Sequence, residues 1–110
     1  MTEVYKIIEK GNEGIIKTLY YGIDGSRTLP LNMWIKADKK MVKDGSGGTP
    51  YMSGIHCFGL ESVARKYFRR FKKIKNRSII KCEARGFEHK MSNRDVLLAD
   101  EIYISSKNEF

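Results

Sequence analysis

The segments VYKII (4–8) and GIIKTLYYG (14–22) are rich in β-branched and aromatic residues and predict two strands joined by the turn EKGNEG. GIDGSRTLP (22–30) reads as a loop from its Gly, Asp, Ser and Pro content. LNMWIKA (31–37) fits a strand or a short helix equally well. DKKMVKDGSGGTP (38–50) shows no periodicity and predicts a loop, after which YMSGIHCF (51–58) reads as a strand. The glycine in the middle of that strand predicts close backbone approach. LESVARKYFRRFKK (60–73) gives the clearest helix. Val63, Ala64, Tyr67, Phe68 and Phe71 fall on one face, and Arg65, Lys66, Arg69, Lys72 and Lys73 fall elsewhere. SIIKCEARG (78–86), DVLLA (95–99) and EIYIS (101–105) predict strands in the C-terminal half. This order predicts one α+β domain over residues 1–110, with two small antiparallel sheets and one main helix packed on them.

Composition narrows the setting. A chain of 110 residues that is 41% hydrophobic can bury one core. No run of 18 apolar residues exists for a membrane helix, and the first ten residues lack the apolar centre of a signal peptide. Cys57 and Cys82 are too few and too far apart for a disulfide framework, so two reduced core thiols in a cytoplasmic protein are expected. GSGGT lacks the Lys-Ser/Thr that completes a phosphate-binding P-loop. His56 and His89 with two distant cysteines do not make a zinc site, so no metal is expected.

The net charge of +8 changes the picture more, because it is concentrated. Nine of the residues from Arg65 to Lys81 are Lys or Arg and none is acidic. Phosphate is the natural counter-charge, on nucleic acid or on a nucleotide. A solvated helix face with no partner explains the same run equally well.

Four segments then line up in order: LYYG (19–22), GTPYMSGIHCF (48–58), the tyrosine of SVARKYF (62–68) and ADEIYI (99–104). Their order and spacing resemble the poly(ADP-ribose) polymerase-like branch of the ADP-ribosyltransferase superfamily. The resemblance implies an ADP-ribosyltransferase-like fold that binds NAD or an ADP-ribose-like nucleotide between LYYG and GIHCF. It places Tyr21 where the family has a ribose-binding histidine, and Gly22 where a backbone holds the nicotinamide amide. His56 stands where the family has a stacking tyrosine, Tyr67 at the second stacking tyrosine, and Glu101 at the catalytic glutamate. Arg27 or Lys36 would pair with the phosphates of the dinucleotide. The implied triad of Tyr21, His56 and Glu101 departs from the family pattern at its first two members, which leaves turnover open. The chain also looks like small accessory proteins encoded by phages, some of which disarm host defences.

The chemistry asks for these residue types. Cleaving the nicotinamide–ribose bond builds an oxocarbenium-like sugar, which a fixed carboxylate such as Glu101 stabilises. Plainer roles stand beside each one. Tyr21 and Tyr67 also fit half-buried core aromatics, His56 an ordinary strand histidine, and Glu101 a surface charge on an edge strand. A second function class is a basic module without chemistry that holds nucleic acid or a host nucleoprotein complex, as an inhibitor would. There Arg65, Lys66, Arg69, Lys72 and Lys73 contact phosphates, while Tyr20, Trp34 or Phe87 stack on bases.

Overall fold

The computed structural model describes residues 2–11, 15–18, 28–37, 39, 41–42, 50–70, 76–90 and 93–108. In chain order these form β1 (Thr2–Lys10), β2 (Ile16–Thr18), β3 (Thr28–Leu29), β4 (Trp34–Lys36), β5 (Met41–Val42), β6 (Tyr51–Met52) and β7 (Ile55–Cys57). The helix α1 (Glu61–Phe68) and two long strands, β8 (Arg77–Lys90) and β9 (Asn93–Tyr103), follow.

This corrects the α+β expectation of two small sheets and a main helix. The described residues are mostly strand, and seven of the strands belong to one nearly closed, barrel-like sheet. Its order is β3-β2-β1-β8-β9-β4, with β7 also pairing β9, while β5 and β6 form a separate two-stranded ribbon. The physical reason lies in two places. SIIKCEARG does not stop at its glycine: Gly86 takes a φ of +63°, and the strand continues beyond it to Lys90. β8 and β9 therefore form one long antiparallel pair, with Arg85 opposite Glu101 and Phe87 opposite Ala99.

The second place is the closure. β7 lies antiparallel to β9, with Cys57 opposite Leu97. One residue further, Phe58 exchanges two backbone hydrogen bonds with Tyr5 of β1, each 2.7 Å. The path β1–β8–β9–β7 thereby returns to β1. A sheet that curls onto itself in this way has few open edges and encloses its core.

Alternation sorts the side chains along β1 and β8, whereas the inward residues of the β9 run change parity between Ala99 and Ile102, across from the Gly86 kink. Val4 and Ile8 of β1, Ile80, Cys82 and Ala84 of β8, and Cys57 of β7 join Leu97, Ala99, Ile102 and Ile104 in one buried cluster. Small residues at Cys57, Cys82, Ala84 and Ala99 suit a narrow interior. On the opposite face of β1, Ile7 packs with Phe58, Val96 and Ala64 of α1, and Val63, Tyr67 and Phe68 close over them. The helix thus seals the outside of the sheet next to the closing bridge. It is shorter than the expected 60–73: Arg69 and Arg70 form its terminal turn, and residues 71–75 lie outside the described ones.

Candidate nucleic-acid interface

The apolar face of α1 fixes where its cations go. With Ala64 buried and Val63, Tyr67 and Phe68 packed against the sheet, Arg65, Lys66 and Arg69 are exposed, as the helical spacing predicts. Arg65 sits one turn after Glu61 and donates to its carboxylate at 2.7 Å. Between α1 and the start of β8 runs an open groove of about 310 Å³, lined by Arg65, Arg69, Arg77 and Ser78, with Glu61, Phe68 and Ile79. Three arginines and a serine thus line the groove beside the apolar Phe68 and Ile79, together with the Glu61 carboxylate that pairs with Arg65. Such a donor set suits phosphate oxygens, because each guanidinium offers a planar fork of N–H donors.

The groove leads onto one face of β8. Inward residues Ile80, Cys82 and Ala84 alternate with outward ones, so Arg77, Ile79, Lys81, Glu83 and Arg85 share the outer face. Lys81 is paired with Glu3 at 3.7 Å. At the far end, Arg85 lies 3.7 Å above the centre of the Trp34 ring, a stacking distance. Tyr103 braces Trp34 with ring centroids 5.5 Å apart, tilted by 52°. These neighbours follow from the register, which sets Trp34 opposite Tyr103 and Lys36 opposite Glu101.

Glu101, expected as the catalytic carboxylate, faces this same cationic surface. Its Oε2 lies 3.7 Å from Nη1 of Arg85, and its strand neighbour across β4 is Lys36. Lys36, expected at a dinucleotide phosphate, is exposed. His56 is half-buried on β7, opposite Leu98 and on the other face from the buried Cys57. Leu98 stands three residues before Glu101, on the order of 10 Å along β9. Tyr67 belongs to α1, where its ring lies 5.0 Å from that of Phe58 and Arg70 lies 4.8 Å above it. Tyr20, Tyr21, Gly22, Arg27, Lys72 and Lys73 lie outside the described residues. Phe87, a candidate base stacker, is 41% exposed on β8 beyond the kink.

One chemically unusual residue escaped the sequence reading. Lys6 shares a face of β1 with Val4 and Ile8 and is only 6% exposed, inside the sheet. Its Nζ donates to the backbone oxygen of His56 at 2.8 Å, which anchors β7 to β1 from within. Burial holds its pKa below the usual lysine value, with the thiols of Cys57 and Cys82 pulling weakly the other way. Burial likewise pushes the Cys57 thiol up to about 11 and the Cys82 thiol up to about 12. Both cysteines are free and buried. The period-two pattern Val4-x-Lys6-x-Ile8 puts Lys6 on a face with two apolar residues, but does not say that this face is the inner one. Arg85 and Tyr103 were missed for a different reason, since their meeting with Trp34 depends on long-range strand pairing.

Neither a family model, nor a curated protein, nor a solved structure matches this chain. No helix among the described residues is long and apolar enough to cross a membrane.

Proposed function

We propose that the protein is a nucleic-acid-binding module that grips phosphates in the groove between α1 and β8. The observation that carries this is the convergence of Arg65, Arg69 and Arg77 with Ser78 on one groove, in a chain of net charge +8. Phosphate contacts by such residues supply affinity without needing a deep pocket, and an open groove is the shape a backbone can follow. Small, partly open β-barrels are also a scaffold that carries oligonucleotides on its sheet face, which is an analogy of architecture. A dinucleotide pocket between LYYG and GIHCF has less support. It presupposed the two-sheet layout that the barrel replaces, and Tyr21, Gly22 and Arg27 lie outside the described residues.

The test is charge reversal. All three arginines line an open groove, and Arg65 and Arg69 are exposed, so the triple variant R65E/R69E/R77E is expected to fold with a melting profile close to the parent's. Its affinity for a labelled oligonucleotide is expected to fall by at least tenfold at moderate salt. Parental affinity in a folded triple variant overturns the proposal.

A further inference from the structure

We infer that Arg85, held over the Trp34 ring, is a base-stacking platform, and that the nucleic acid this protein takes is single-stranded. This rests on the phosphate-groove reading above and adds to it a second contact and a ligand class.

The geometry supplies three parts. Arg85 lies 3.7 Å above the centre of the Trp34 ring, so the indole covers one side of the guanidinium. Its side chain is nevertheless 51% exposed, which leaves the other side to solvent. Glu101 forms an ion pair with Nη1 at 3.7 Å, while Tyr103 backs Trp34 from the neighbouring strand. The result is a planar, cationic surface oriented before any ligand arrives. Guanidinium planes of this kind stack on unpaired bases, and a base in a duplex has no free face to offer. Preorganisation matters because an unsupported arginine would lose its side-chain freedom on binding.

Position links the platform to the groove. Arg77 and Arg85 project from the same face of one strand, eight residues apart, on the order of 26 Å. That separation falls within the roughly 4–16 nucleotides that one small single-strand-binding barrel occupies. Lys81 lies on the path between them, and Lys36 flanks the platform on β4. The acidic residues on the same surface, Glu3, Glu83 and Glu101, limit how many phosphates it can take. They favour one strand over the two closely spaced backbones of a duplex.

Trp34 is the sole tryptophan of the chain, so its emission reports on the platform alone. The full-length protein is titrated with a short single-stranded oligonucleotide and with a duplex of equal length. Tryptophan emission and the anisotropy of a labelled strand are followed together. The single strand is expected to change Trp34 emission and to bind more tightly than the duplex. Arg85→Ala is expected to weaken single-strand binding about five- to a hundredfold and to leave duplex binding nearly unchanged. Arg85→Lys keeps the charge but not the plane, and is expected to fall with the alanine variant. Parental binding by Arg85→Lys overturns the platform, because a simple phosphate contact would be rescued by lysine. Duplex that perturbs Trp34 as strongly as single strand also overturns it. If oligonucleotides bind through the groove arginines while Trp34 emission stays silent, the platform falls and the groove stands. If no nucleic acid binds at all, both fall.

Discussion

Replacing Lys6 by methionine isolates the most unusual energetic feature of the barrel. Lys6 is buried among Val4, Ile8 and the two thiols, and its folded pKa lies below the ordinary 10.5. In the unfolded chain the amine stays protonated up to 10.5, so between the lowered folded value and 10.5 the unfolded state binds more protons. Stability therefore rises with pH through that window, by up to about 1.4 kcal/mol for each pH unit, and the gain is lost as pH falls through the folded pKa. The thiols act in the opposite sense. Each ordinarily titrates near 9.0 but is held up to about 11 at Cys57 and about 12 at Cys82, so the folded state keeps their protons longer. Above about pH 9 they erode stability, and the loss grows until pH passes the folded values, where it reaches on the order of 3 and 4 kcal/mol. Lys6→Met removes the lysine contribution and also the pull of the ammonium on the thiols, which lowers both of their values, so the thiols of the variant erode its stability at high pH at least as strongly as those of the parent. At neutral pH the variant gives up one hydrogen bond to the His56 oxygen, worth about 1 kcal/mol, but no longer buries an ionisable amine. Urea unfolding of parent and variant from about pH 6 to pH 10.5 gives the stability difference directly. The parent is expected to gain on the variant as pH rises toward 10.5. A difference that stays constant or shrinks across that range refutes the placement of a titrating Lys6 inside the sheet.

Gly86→Ala is expected to lower stability by about 1–2 kcal/mol, because Gly86 has a φ of +63° and an added Cβ would meet the Asp100 carboxylate, which pairs with Lys39. An unchanged urea midpoint would contradict the kink. Cys57 and Cys82 are expected to resist alkylation by a thiol reagent near pH 8 in the folded protein and to react promptly in denaturant, since only the thiolate attacks and both are buried. Rapid native-state labelling of either would place it outside the core.

Much of the fold was legible locally. β-Branched and aromatic runs marked β1 and β8, and helical spacing in LESVARKYFRRFKK put Arg65, Lys66 and Arg69 in solvent with Ala64 buried. What failed was long-range. Gly86 looks like the end of a strand, yet a positive-φ glycine inside an antiparallel pair bends it without ending it, so two expected sheets merge. No local pattern announces that Phe58 will bridge Tyr5 and close the sheet. Lys6 illustrates the same limit from inside. VYKII has apolar residues on both faces, so its one charged residue can be sorted only once the helix is known to cover Tyr5 and Ile7. The nucleotide-site words GIHCF and ADEIYI are short β-strand text. His56 and Glu101 do fall on neighbouring strands, but in a barrel rather than between two sheets.

The salt dependence of oligonucleotide affinity bears on the groove most directly. For single strands, log K falls against log salt with a slope of about −0.7 per phosphate contact. Three groove arginines predict a slope of about −2 or steeper for the parent protein, and a much shallower slope for R65E/R69E/R77E. Binding that is independent of salt, or a parental slope retained by the triple variant, would contradict a phosphate-gripping groove.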